Sequence, residues 1–145
     1  MFTRILLCYD GSREGRNALR QGADVALALR AETHLLAILR GTTVTPPEGQ
    51  TDAAKQSGLD AEEAVLREGV EWLRARGLEA RGRMVHGDPL VEIPACAREL
   101  RADLIVVGHR RRGRLARWWS DAESATLLDA SPCSVLAACA PDPDE

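Results

Sequence analysis

The chain reads as an α/β protein, an open parallel sheet with helices on both faces. Three observations lead there. Two short runs, Ile5-Leu6-Leu7-Cys8-Tyr9 and Leu104-Ile105-Val106-Val107, are almost wholly apolar, as central strands covered on both sides must be. Strand-like and helix-like segments alternate along the whole length, which calls for right-handed crossovers and a parallel sheet. The first apolar run ends at Asp10-Gly11-Ser12 and the later one at Gly108, punctuation suited to loops at the carboxyl edge of such a sheet.

Ile5 to Tyr9 forms the first strand, and Ser12 or Asp10 caps the helix after it. In that helix Ala18, Gly22, Val25, Ala26 and Leu29 recur at spacings of three and four, a helical stripe. Leu35 to Leu39 is the second strand. From Arg40 to Gly58 periodicity is lost and Pro46-Pro47 and Gly49 intervene, so residues 40–58 are expected to be a mobile loop. Leu59 to Arg76 turns Leu66, Val70 and Leu73 to one side and Glu62, Glu63 and Glu71 to the other, a second helix closed by Gly77. Ala80 to His86 alternates as a third strand. Asp88 then caps a third helix with Pro89 at its first position, and Ile93, Cys96 and Leu100 face inward. Pro94 removes a backbone donor in the second turn and crowds the Leu90 carbonyl. Either a kink at Pro94 or a helix that starts only near Ile93 is expected.

Composition narrows the function. One domain is expected over residues 1–145, with residues 140–145 a flexible tail; the chain is long enough to bury a sizeable core. A formal charge of −3 gives no general attraction to nucleic acid or anionic membranes. Five arginines between Arg110 and Arg117 stand out, since removing their +5 from −3 leaves −8 for the rest. No stacking aromatics interleave them, and no nucleic-acid motif is present. No run reaches the roughly 20 apolar residues of a membrane span. Cys8, Cys96, Cys133 and Cys139 contain no C-x-x-C pair and read as small hydrophobes, so a reducing cytoplasm is the expected address. His34, His86 and His109 are too scattered for a metal site. Ser12, His109 and Asp10 lack the nucleophile elbow of a hydrolase. No catalytic residue and no metal ligand is assigned.

Four segments in order, ILLCYDGS at Ile5–Ser12, HGDPLVEI at His86–Ile93, ADLIVVG at Ala102–Gly108 and ASPCSVL at Ala130–Leu136, carry a likeness over nearly the full length. On them the chain resembles the universal stress protein family. The resemblance implies a five-stranded parallel sheet of order 3-2-1-4-5, Rossmann-like in kind. It also implies a homodimer, often paired through the last strand, here around Ser134–Ala138, and a role in stress response or regulation.

Many members of that family bind ATP through a loop of the form G-x-x-G, nine residues, then G-S or G-T. On this chain the first glycine is Gly108, the second falls on Arg111, the third on Asp121 and the hydroxyl residue on Ala122. Glycines at such positions let the backbone approach phosphates closely. Arg111 adds a long side chain there, and Asp121 sets a carboxylate where a triphosphate would lie. Two unit charges about 4 Å apart repel by roughly 4 kcal/mol at an effective dielectric of 20, a large part of the roughly 8 kcal/mol of a micromolar complex. Ser120-Asp121-Ala122-Glu123 also fits a capping box that satisfies the helix-start donors from within the chain. The expectation is a binding protein that has lost the family's ATP mode and needs no cofactor. The alternative is a nucleotide binder of ATP or AMP type, with Mg where ATP is held. In it Asp10, Gly11, Ile38, Val107 and Gly108 frame base and ribose, and Arg110 and Arg111 grip phosphate beside Asp121 and Ala122. Trp118-Trp119, which stand where the family has aliphatic residues, are expected to anchor the arginine loop.

Overall fold

A computed structural model describes residues 1–39, 52–109 and 127–139. Five strands form one parallel sheet: β1 (Arg4–Tyr9), β2 (Glu32–Leu39), β3 (Ala80–His86), β4 (Leu104–His109) and β5 (Ser134–Cys139). Their spatial order is β3-β2-β1-β4-β5, as the resemblance implies. Four helices connect them: α1 (Arg13–Leu29), α2 (Asp52–Ala75), α3 (Pro89–Leu100) and the short α4 (Leu127–Ala130).

Strand alternation divides the core into two layers. Ile5, Leu7, Tyr9, Leu35, Leu104 and Val106 face α1 and α2, where Ala18, Leu19, Ala23, Ala26 and Leu73 are buried against them. Leu6, Cys8, Leu36, Ile38, Ile105 and Val107 face the other way, onto Ile93, Cys96 and Ala97 of α3 and Leu127 of α4. The central strands are therefore apolar on both faces. α1 approaches the sheet closely because Gly22 lies over Leu7: a Cβ there would stand 2.3 Å from Leu7 Cδ2.

Several expectations need adjustment. β2 begins at Glu32, three residues before Leu35, because Glu32, Thr33 and His34 already pair with Arg4, Ile5 and Leu6 despite being polar. α2 begins at Asp52, so positions 52–58 of the expected loop are helical and Gly58 lies inside a helix. Residues 40–51 lie outside the described set, as do residues 140–145. α3 runs unbroken from Pro89 with Asp88 as its N-cap, which removes the option of a start near Ile93. Pro94 is accommodated inside the helix and buried, so its ring contributes to the core that its missing donor weakens.

Three helices end in the same hydrogen-bond pattern. After α2, Gly77 (φ 92°) donates to Arg74 O and Leu78 N donates to Leu73 O, a Schellman motif with glycine at the left-handed position. α1 and α3 close identically, but with Arg30 (φ 53°) and Arg101 (φ 55°) where glycine is favoured.

Candidate functional site

β1 carries the chain to the carboxyl edge of the sheet and delivers Asp10-Gly11-Ser12 there. Gly11 takes φ 81°, a conformation that other residues resist, and the γ-methyls of Val65 on α2 lie 3.5 Å from where its Cβ would be. Ser12 is the N-cap of α1: its hydroxyl accepts from Gly15 N at 3.0 Å. Asp10 is not the cap but the group that fixes it. One carboxylate oxygen, Oδ1, accepts from Ser12 N at 2.8 Å and from the Ser12 hydroxyl. Asp10 is half-buried, so the turn presents its acidic group at the strand end rather than hiding it.

The sheet opens beside this turn. β1 pairs with β4 only from Ile5↔Leu104 to Leu7↔Val106, whereas β1 pairs with β2 through Tyr9 and β4 with β5 through Cys139. Beyond Leu7 and Val106 the two central strands part, and α1 and α3 lead to opposite faces. This is the switch point of an open α/β sheet, where ligands of such folds bind. Cys8-Tyr9-Asp10 bounds it on one side, Val107-Gly108-His109 on the other. Val107, Gly108 and Ile38 are buried. Ile38 and Val107 share the α3 face and belong to its core, so at most their outer ends meet the crevice.

Two side-chain clusters that sequence patterns do not single out border this edge. Tyr9 is 1% exposed. Burial pushes its phenol up, opposed by a hydrogen bond from the Arg16 guanidinium, which itself stands 3.7 Å from Glu68. Arg16 of α1 thus stands between Tyr9 and Glu68 of α2, beside Asp10. His86 Nε2 meets Glu62 Oε2 at 2.8 Å and ties the end of β3 to α2. His86 lies in the HGDP segment, which is a usable signal; no spacing rule pairs it with Glu62, 24 positions away.

Arg110, Arg111, Asp121 and Ala122 fall outside the described residues, as do Ser120, Glu123, Trp118 and Trp119. Of the expected site residues, the structure thus brings Asp10, Gly11, Val107 and Gly108 to one switch point, with Ile38 in the adjoining core. Among the described residues no group of three or more His, Cys, Asp or Glu is arranged to hold a metal ion. None of the described helices is long and apolar enough to cross a membrane. All four cysteines are free, and burial raises the thiols of Cys8, Cys96 and Cys133, which suits packing rather than reactivity.

The family model of the universal stress proteins matches residues 1–138. The chain belongs to the universal stress protein family. Universal stress protein Sll1654 of Synechocystis is 31% identical over 139 residues, covering 94% of this chain and 85% of that protein. A crystal structure of a family member from Burkholderia pseudomallei superposes with a TM-score of 0.70 at 22% identity, covering 94% and 95% of the two chains. An Arabidopsis thaliana family member solved with AMP bound superposes with a TM-score of 0.65 at 15% identity, covering 98% and 94%.

Proposed function

We propose that this universal stress protein acts by binding rather than by catalysis, and that the family's ATP mode is lost in it. The observation that carries this reading is the substitution set Arg111, Asp121 and Ala122 where the nucleotide loop has glycine, glycine and a hydroxyl residue. Gly108 alone remains, buried near the end of β4. A carboxylate at Asp121 opposes a triphosphate, and the sequence Ser120-Asp121-Ala122-Glu123 fits a capping box that would take up the donors a phosphate uses. Calorimetric titration with Mg-ATP tests this: no heat of binding is expected at tens of micromolar, and a dissociation constant in the low micromolar range overturns it.

A second reading is favoured by one observation, the open switch point with Asp10 and Gly11 intact beside it. A nucleotide monophosphate makes no demand on a triphosphate cradle, and the Arabidopsis relative is seen with AMP. Here Asp10 meets a ribose hydroxyl while Arg110 and Arg111 supply the phosphate contacts by side chain. Mass spectrometry of gently purified protein decides it: a co-purifying AMP-type nucleotide, lost when Arg110 to Arg112 are replaced, supports the second reading. An empty protein whose replacement changes nothing removes it.

The partner in either reading is a second copy, paired through β5. β5 is an outer strand, and Ser134 to Ala138 bear no charge, while the opposite outer strand β3 carries Arg81 and Arg83, which guard an edge against pairing. Light scattering is expected to give twice the 15.8 kDa chain mass; a monomer at high micromolar concentration refutes the pairing.

A further inference from the structure

At the edge of the sheet opposite the switch point, the first residues of β2 and β3 meet the last turns of α1 and α2. An open cleft of about 820 Å³ lies there, within the size range of small-molecule sites. Arginines of three elements line it: Arg30 caps the end of α1, Arg74 stands in the last turn of α2, and Arg81 is the second residue of β3, on the sheet face opposite to α1 and α2.

The bonding capacity of these arginines is largely unspent. Arg30 and Arg81 make no side-chain hydrogen bond or ion pair with another described residue. Arg74 makes one long bond, 3.4 Å to Ala80 O. Two carboxylates line the same cleft, Glu32 and Glu79. Glu32 is already engaged, with Arg4 Nε at 3.1 Å and His34 Nε2 at 2.8 Å. Three arginines therefore line the cleft with one uncommitted carboxylate.

Helix C-termini attract arginines, and that alone would place Arg30 and Arg74 in this corner. Backbone amides already occupy part of those helix-end carbonyls, however. Leu27 O and Ala26 O accept from Arg30 N and Ala31 N, and Arg74 O and Leu73 O accept from Gly77 N and Leu78 N. Neither the Arg30 nor the Arg74 guanidinium donates to a helix-end carbonyl among the described residues, so capping does not use their donors.

We propose that this cleft is a second binding site, for the phosphate group of a small hydroxylated phosphate ester. Arg30 and Arg81 reach the phosphate round the edge of the sheet, from its two faces, in the fork geometry suited to it. Arg74 adds charge, Glu79 accepts from a ligand hydroxyl, and Leu78 offers the apolar floor. The site stands a full strand length from the switch point, roughly 23 Å for the eight residues of β2, and does not depend on whether a nucleotide binds there.

The test is a titration of the full chain with inorganic pyrophosphate at low salt, read by amide resonances. Saturable shifts are expected at Ala31, Leu78 and Glu79, with half-saturation below about 1 mM, the weak end of specific binding. The double substitution Arg30→Asn and Arg81→Gln should raise the half-saturation point at least tenfold; asparagine is chosen because it tolerates the left-handed backbone at position 30. Arg81→Gln alone, on an exposed strand position, serves should the double variant not fold, with at least a threefold weakening expected. Shifts that rise linearly without saturation and spread to Arg20, Arg67 and Arg101 would mean general charge attraction and overturn the proposal. Shifts centred on Gly11 and Gly108, or variants that titrate as the parent does, overturn it equally.

Discussion

Arg101→Gly should make this protein more stable. Arg101 closes α3 with φ 55° and ψ 43°, the left-handed region. Its amide donates to Arg98 O at 3.2 Å while Ala102 N donates to Ala97 O at 2.9 Å, so backbone hydrogen bonds hold the conformation in place. A residue with a Cβ gives up about 1–2 kcal/mol in that region. Glycine gives up nothing there, but gains unfolded-state freedom that offsets about 0.4–1 kcal/mol. The Arg101 side chain is exposed and makes no hydrogen bond or ion pair with another described residue, so truncation removes little else. The net expectation is a gain of about 0.5–1 kcal/mol, or roughly 2–4 °C in melting temperature for a domain near this size. Urea unfolding followed by circular dichroism measures it, with an unchanged m-value showing that the native state is the same. A shift of the midpoint to lower urea would refute the reasoning, because it would mean that the arginine contributes more at this corner than its backbone costs.

Further substitutions test the packing and the charge network. Gly22→Ala should destabilise by up to about 2 kcal/mol, because a Cβ 2.3 Å from the buried Leu7 Cδ2 forces Leu7 or α1 to shift, an overpacking cost of about 1–3 kcal/mol partly offset by the roughly 1 kcal/mol better helix propensity of alanine. A midpoint equal to or above the parent's would refute it. Asp103 accepts from Thr3 N, Thr3 Oγ1 and Arg4 N at 2.8, 2.9 and 3.0 Å. Desolvation pushes its carboxyl up, but those donors outweigh it and leave the group below its usual 3.8. Stability from a lowered carboxylate is present above the unfolded value and is lost as pH falls through the folded one. Asp103→Asn should therefore cost roughly 1–3 kcal/mol at pH 7, and the gap to the parent should close as pH falls below about 3.8, the unfolded value. A gap of the same size at pH 7 and pH 3 would refute the charge-based account.

How legible each feature is in the sequence depends on the range over which it is determined. β1 and β4 are plain because a strand buried on both faces must be apolar throughout, and the caps at Ser12, Asp88 and Gly77 because a helix end is settled within four or five residues. The start of β2 is hidden for the complementary reason. Glu32, Thr33 and His34 are polar, and they become strand only because Arg4, Ile5 and Leu6 on one side and Ala80 and Arg81 on the other supply partners. The start of α2 is obscured by Gly58, which weakens any local helix signal, although nothing in the fold objects to it there: a Cβ at Gly58 would meet no atom within 4 Å.

The candidate site divides along the same line. Its chemistry is visible in the sequence, since Asp10, Gly11 and Gly108 sit beside the apolar runs that deliver them. Its shape is not. The parting of β1 from β4 beyond Leu7 and Val106 is a property of two ladders at once, and no residue in either strand encodes it alone. The second cleft is more extreme, because Arg30, Arg74 and Arg81 are unremarkable surface arginines until the Schellman ends of α1 and α2 and the start of β3 bring them to one corner. The arginines that stand out as a run, Arg110 to Arg117, gain their charge density from adjacency in sequence; those of the cleft gain theirs from the fold. A ligand would sense both as positive potential, but the cleft arginines stand on three separate elements tied to the sheet, and elements of that kind hold donors in fixed geometry. On that ground the proposed cleft is expected to hold a bound anion in one fixed geometry.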